Sequence, residues 1–339
     1  MTAAELPGLD ELIASARVVS IPLAVRFRGL TVREAVVVEG PGGAGEFAPF
    51  VEYDDAESAP WLAAAVEAAW SGWPAAVRAE VPVNATVPAV PAAEVEGVLA
   101  RFDGCRTAKV KVAERGQVLD EDVDRVAAVR AALGPSGRVR IDANGAWSVT
   151  EATEALRRLS AFDLEYAEQP CATVDELHEL RMSLARNGID VPVAADESIR
   201  KAADPLEVAR RGAADLLVVK VAPLGGVRRA LAIVEECGLP AVVSSAIDTS
   251  VGISAGVALA AALPSLDHAC GLGTVNLLAG DVSAEPLVPR GGVLRTAGVE
   301  VDDELCRRFA ASPERAAWWR ERLARCHAEL TRGEVGAAR

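Results

Sequence analysis

Histidine is scarce, with three residues in 339, at positions 178, 268 and 327. So few imidazoles argue against a His-rich transition-metal site and for an all-oxygen one. Cysteine is present but unpatterned: positions 105, 171, 237, 270, 306 and 326 include no CxxC pair. Reduced thiols in a cytosolic protein are expected. Long apolar runs are missing too. No stretch is long enough to span a bilayer, and Ala255 to Leu263 reads as a short buried helix. Met1 to Leu12 carries acids and lacks an apolar core, so it does not read as a signal peptide. There is no basic patch, and the formal net charge is −14. Nucleic acid and anionic membrane surfaces are therefore not expected partners. Homo-oligomerisation is left open, because net charge speaks to solubility and not to fold.

What the chain does have is 51% hydrophobic residues, ample for one barrel and a smaller domain. It also has a regular pattern of apolar runs that end on a charge. Val139-Arg140-Ile141-Asp142 and Leu164-Glu165-Tyr166-Ala167-Glu168 end on carboxylates. Val191-Pro192-Val193-Ala194-Ala195-Asp196 does the same, and Leu216-Leu217-Val218-Val219-Lys220 ends on an ammonium. Successive charges are 26, 28 and 24 residues apart (168−142, 196−168, 220−196). A strand, a helix and two short loops fit each interval. Glu151 to Leu159 and Val174 to Leu184 supply two clear amphipathic helices. The four charges are thus expected at the same end of four successive parallel strands, where a (β/α) barrel presents catalytic groups.

The expected fold is α/β, a modified TIM-type (β/α) barrel with an α+β capping domain formed by the N-terminal region and the C-terminal tail. Residues 1–80 form the N-terminal capping region, with strands over 16–53 and a helix over 58–70. Residues 81–286 form the barrel. Its first strand is expected at Val81-Pro82-Val83-Asn84, its second at Thr107 to Val112, its seventh at Ala241 to Ala246 and its eighth at His268 to Gly273. Residues 287–339 form a C-terminal segment, with a helix from Pro313 to Leu330 packed on the cap.

Three converging carboxylates repel one another, and left alone at least one would take up a proton. A divalent cation removes the conflict, and a hard one such as Mg²⁺ prefers oxygen ligands. The alternative is three unrelated carboxylates on a solvated rim, which their common register with a lysine argues against. In Lys109-Val110-Lys111 the two lysines alternate with valine, so strand geometry puts both on one face. If that face is the barrel interior, both enter the carboxylate cluster, with Lys109 expected among the substrate contacts. Lysines on either side of a metal suit removal of a proton α to a carboxylate. The base lysine must be neutral, and neighbouring cations favour that. Arg26 and Arg28, on the connection between the first two strands, could meet an anionic substrate. Asn144, Ser244, Ser245 and Gly271 sit at strand tips with space and polar groups for ligand oxygens.

Taken together, Lys109-Val110-Lys111, Asp142-Ala143-Asn144, Glu168-Gln169-Pro170, Asp196-Glu197-Ser198 and Lys220 resemble the enolase superfamily, muconate-lactonizing subgroup. That resemblance covers most of the barrel. It implies Asp142, Glu168 and Asp196 as Mg²⁺ ligands, with Mn²⁺ as a substitute, and Lys111 and Lys220 flanking the substrate. More local features resemble the o-succinylbenzoate synthase family of menaquinone biosynthesis. They are Arg26-Phe27-Arg28-Gly29 with Arg33-Glu34, Gly45-Glu46-Phe47-Ala48-Pro49, Ser244 to Ser250, and Gly271-Leu272-Gly273-Thr274. This implies a small-molecule dicarboxylate substrate, a hydroxylated cyclohexadiene that loses water. Lys111 would be the base and then the acid, with Lys220 a cation over the ring face. The segment 54–106 is short beside typical superfamily members.

Two rivals share residues with this reading. An N-acylamino-acid racemase or dipeptide epimerase would use Lys111 and Lys220 as opposed bases on the same scaffold. Epimerases usually carry an Asp-x-Asp where this chain has Gly271-Leu272-Gly273, which counts against that activity. A non-catalytic metal-binding scaffold would not need both lysines.

Overall fold

The computed structural model describes residues 6–27, 29–200 and 204–337. Its N-terminal part is a three-stranded antiparallel sheet of β1 (Arg17–Phe27), β2 (Leu30–Gly40) and β3 (Gly43–Phe47). Ala35 to Val38 are all fully buried, so β2 is covered on both faces. The helix Asp55–Val66 begins where Asp54 accepts the backbone N–H of Glu57 at 2.8 Å. It runs straight into a wider π turn, Glu67–Ser71.

The helix Pro313–Ala337 returns to this cap. Its Trp319 is fully buried among Phe47, Trp61 and Leu62, and meets Phe47 edge-on at 5.9 Å between ring centroids. Polar bonds fix the register of the docking. Arg315 pairs with Glu34 at 2.5 Å, and buried Arg322 donates to the carbonyls of Phe50 and Tyr53.

The second part is built on parallel strands. The short β4 (Glu80–Pro82) is antiparallel to β12 (Val293–Arg295) and is not part of this sheet. Seven parallel strands then follow in chain order: β5 (Ala85–Val87), β6 (Thr107–Lys111), β7 (Arg138–Asp142), β8 (Leu164–Glu168), β9 (Val193–Ala195), β10 (Leu216–Val219) and β11 (Ala241–Val243). Two single-residue parallel bridges, Val83 with Cys270 and Ser244 with Gly271, close the curl. The first strand expected at Val81–Asn84 is thus corrected. Its first half belongs to the antiparallel pair, and its second half enters the curl, where Val83 bridges Cys270 before the ladder with β6 begins at Ala85. The eighth strand expected over His268–Gly273 shrinks to the bridging residues Cys270 and Gly271.

Helices pack outside the parallel strands. Two begin with reciprocal capping boxes that fix where strand gives way to helix. Ser148 and Glu151 exchange bonds of 2.8 and 3.3 Å before Val149–Leu159. Thr173 and Glu176 do the same at 2.9 and 3.2 Å before Val174–Arg186. Inside the curl, Tyr166, Ala194, Leu216, Val218 and Val242 form a small apolar plug. Arg140 joins it fully buried, bonded to Glu165, to the Tyr166 hydroxyl at 2.9 Å and to the Ala269 carbonyl at 2.7 Å. All six cysteines are free. Among the described residues no helix is long and apolar enough to cross a membrane.

Candidate active site

Strand register puts the charged residues on one level. Lys111 on β6 lies beside Asp142 on β7, Asp142 beside Glu168 on β8, and Glu168 beside Ala194 on β9. Asp196 follows β9, and Lys220 follows β10 as the cap of the helix Val221–Leu224. All five, together with Lys109, are buried at the C-terminal ends of their strands. Alternation along β6 turns both of its lysines inward.

The ammonium groups and carboxylates interleave. Lys109 Nζ donates to both oxygens of Glu168, at 2.9 and 3.1 Å, and lies 3.1 Å from Asp142 Oδ2. Lys111 Nζ donates to Asp142 Oδ2 at 2.5 Å and to Asn144 Oδ1 at 2.7 Å. Lys220 Nζ donates to Asp196 Oδ2. Arg200 takes the other oxygen of Asp196 at 3.2 Å, and also binds Glu197 at 2.6 Å and the Tyr53 hydroxyl at 3.1 Å. Gln169 supports this edge from below. Its Oε1 accepts the backbone N–H of Asp196 at 2.9 Å, and its Nε2 donates to Ser198 Oγ at 2.8 Å. Asn144 and Gln169, directly after two of the strand ends, both have positive φ, 48° and 38°. Such backbone is costly outside glycine and concentrates at functional sites.

These contacts divide the titrations. Burial would raise the pKa of Asp142, but Lys111 and Lys109 outweigh it and hold the carboxyl well below its usual range. Burial is likewise outweighed at Asp196, by Lys220 and Arg200, leaving it at about 2. Glu168 goes the other way. Burial, and then the charge of Asp142, push it up to about 7 against the pull of Lys109. Lys109 is lowered by burial but raised more by Glu168 and Asp142, so it is a fixed cation and poorly suited to act as a base. Lys220 is lowered, chiefly by burial, with Arg200 and Lys109 adding to it against the pull of Asp196.

The donor set suits a hard divalent cation: three carboxylates on adjacent strand ends. Among the described residues no three acidic, His or Cys side chains stand as a finished cation cage, because the lysines occupy the space between the carboxylates.

One cavity brings most of the expected residues together. Lys109, Lys111, Asp142, Asn144 and Lys220 line it together with Ser244, Ser245 and Gly271. At Gly271 a side chain has no room, since a Cβ there would stand 2.6 Å from Ser244 Oγ. Phe50 from the cap, with Thr86, Ala246, Ile247 and Thr274, completes the lining. Glu168 and Asp196 meet this cavity through their lysine partners. Arg28 and the side chain of Arg26 lie outside the described residues. A larger groove of about 880 Å³ lies elsewhere, between residues 275–288 and 302–308, and shares none of these side chains.

Arg200 and Phe50 were not evident from the sequence. Arg200 had one usable signal, a position four residues after Asp196 at the start of a helix, where side chains meet. Phe50 had none, because the cap is brought over the barrel only by tertiary packing.

Residues 91–305 match the Enolase C-terminal domain-like model, and residues 18–69 the Enolase N-terminal domain-like model. The o-succinylbenzoate synthase of Thermobifida fusca is 58% identical over 92% of this chain and 96% of its own length. The chain belongs to the o-succinylbenzoate synthase family of the enolase superfamily. The family member from Mycolicibacterium smegmatis is 56% identical over 95% of this chain and 98% of its own. The muconate lactonizing enzyme of Pseudomonas fluorescens, solved with muconolactone, shares the fold at a TM-score of 0.73 and 23% identity. That likeness covers 88% of this chain and 98% of the other.

Proposed function

We propose that the chain is an o-succinylbenzoate synthase acting in menaquinone biosynthesis. It converts 2-succinyl-6-hydroxy-2,4-cyclohexadiene-1-carboxylate to 2-succinylbenzoate by syn loss of water. The observation that supports this reading is a cavity with Lys111 and Lys220 on separate strands, each tied to a different carboxylate of one cluster. Relatives above half identity over nearly the whole chain carry the same activity in their names.

Asp142, Glu168 and Asp196 would hold a Mg²⁺ ion, which when bound supplies positive charge to the substrate carboxylate. Lys111 takes the proton from the carbon bearing that carboxylate, and the electron pair moves onto the carboxylate as an enediolate. The pair then returns to form the ring double bond, and the carbon–oxygen bond to the hydroxyl breaks. Lys111 gives its proton to the departing oxygen, so water leaves and the ring becomes aromatic. Lys109 stays protonated and holds Glu168 and Asp142 in place. Lys220 stays fixed over the ring as a positive charge. Ser244, Ser245 and Asn144 offer polar groups to the substrate, Gly271 keeps the wall thin, and Arg26 and Arg28 would supply positive charge for its anionic groups.

The same two lysines suit a racemase, so the assay must separate the activities. Purified protein with Mg²⁺ is given the cyclohexadiene and, separately, N-succinylamino acids. Aromatic product from the first at a kcat/KM well above racemisation of the second supports the proposal. Racemisation alone would overturn it.

A further inference from the structure

The cap contains two buried ionisable side chains that the chemistry above leaves unused. Arg33 on β2 is 3% exposed and Glu46 on β3 is 7% exposed. Both reach the segment that follows β11. Arg33 Nε donates to the carbonyl of Ile247 at 3.1 Å, and its Nη2 donates to the carbonyl of Ala48. The guanidinium sits 4.7 Å from the centroid of the Phe50 ring and 3.9 Å from Asp248 Oδ1. Glu46 accepts the Thr249 backbone N–H at 3.1 Å, the Thr249 hydroxyl, and the Gly252 N–H at 3.2 Å. The barrel helix Ser250–Ala262 is therefore capped in part by the carboxyl oxygens of a cap residue. The approach is close. A Cβ at Gly252 would lie 2.6 Å from Asp248 Cβ and 2.9 Å from Glu46 Oε1.

Between these anchors, Ile247 has φ of 63°. A β-branched residue is an outlier there, and such backbone persists only where its surroundings over-determine it. Arg33 holds the carbonyl of that residue and lies against the Phe50 ring. Ile247 and Phe50 both line the cavity that contains Lys111 and Lys220. One cap side chain thus sets two pieces of the cavity wall.

We infer that Arg33, seconded by Glu46, is a positioning residue that clamps Ile247 in the left-handed conformation and so shapes the substrate cavity. It touches neither the lysines nor the three carboxylates, so its loss should harm substrate binding and leave the chemistry alone. The inference rests on the proposed function only for the choice of assay substrate.

The test is a double-mutant cycle read by kinetics and by hydrogen exchange. Arg33→Met keeps the stem and removes the donors. It is expected to raise KM for the cyclohexadiene about tenfold, with kcat within about threefold of wild type. Ile247→Gly accepts the positive φ without strain, so the loop should no longer need the clamp. In that background the KM penalty of Arg33→Met should shrink to less than about threefold. A merely structural role would give the same penalty in both backgrounds. Amide exchange across 244–252, measured without metal or substrate, should quicken in Arg33→Met and in Glu46→Gln. Arg33→Lys, which keeps the charge but loses the fork, serves with the same expectations if the methionine variant does not fold. Additive penalties, a fall in kcat with KM unchanged, or unaltered exchange across 244–252 would each overturn the inference. A wild-type protein inactive on the cyclohexadiene would count against the proposed function, while the exchange comparison would still decide the clamp.

Discussion

The two lysines should respond differently to substitution by arginine. Lys111 Nζ is held by Asp142 and Asn144, and Lys220 Nζ by Asp196. Arginine at either place keeps a cation for the carboxylate, so folding should survive. At position 111 the change would remove the proposed base, because a guanidinium stays protonated at any working pH. Loss of a positioned acid–base group costs on the order of 10²–10⁴ in rate. Lys111→Arg should lie at the far end of that range, since one group carries both proton steps. At position 220 the proposed mechanism requires only charge. A unit charge about 4 Å from developing negative charge, at an effective dielectric of about 20, contributes about 4 kcal/mol. That corresponds to about a thousandfold in rate. Lys220→Met should lose this factor. Lys220→Arg should recover most of it, ending within about thirtyfold of wild type, with the bulk of the guanidinium as the remaining penalty. The assay follows appearance of the aromatic product at saturating substrate, with thermal melts to verify folding. N-succinylamino acid racemisation needs a base on each face and should vanish in both arginine variants. If Lys111→Arg dehydrates at the wild-type rate while Lys220→Arg is dead, the base assignment is reversed.

Other outcomes follow from the same geometry. Turnover should cease once divalent metal is removed by excess chelator and should return with Mg²⁺; full turnover in verified metal-free protein would rule out the three-carboxylate site. Burial, and then the charge of Asp248, push Glu46 up to about 8, so the folded state holds a proton that the unfolded chain has released. Stability should then fall as pH rises from about 5 to about 8, and Glu46→Gln should flatten that slope in denaturant titrations. An equal slope in both proteins would refute the assignment. Gly45→Ala should destabilise the cap by about 1–3 kcal/mol, because the added Cβ would meet the Ala65 carbonyl oxygen 2.0 Å away. An unchanged midpoint of unfolding would show that the helix shifts freely over β3.

Much of the site was legible because it is written locally. A charge that ends an apolar run falls at a strand tip, and equal spacing puts successive tips on one level. That reasoning brought Asp142, Glu168, Asp196 and Lys220 to the same end of the sheet. Alternation along Lys109-Val110-Lys111 turned both lysines inward. Polarity is decided a few residues at a time, and the strand period converts it directly into direction. Local pattern failed at Val81–Asn84. An apolar run of that kind suits either kind of sheet, and the partner of β4 lies more than two hundred residues away in β12. It also overextended the eighth strand, because small residues at 270–273 are compatible with strand or bridge.

The sequence by itself determined the barrel alternation and the charged cluster, since these follow from periodicity and from residue type at strand ends. Only the tertiary structure decided which cation faces which carboxylate, and that the cap shapes the site. Arg33 and Ile247 are 214 residues apart, as Glu46 and Thr249 are 203 apart. No local preference encodes such pairs. They exist because the helix Asp55–Val66 packs on the barrel helix Val221–Leu224 and β3 on Ser250–Ala262, a seam where buried polar groups must find partners.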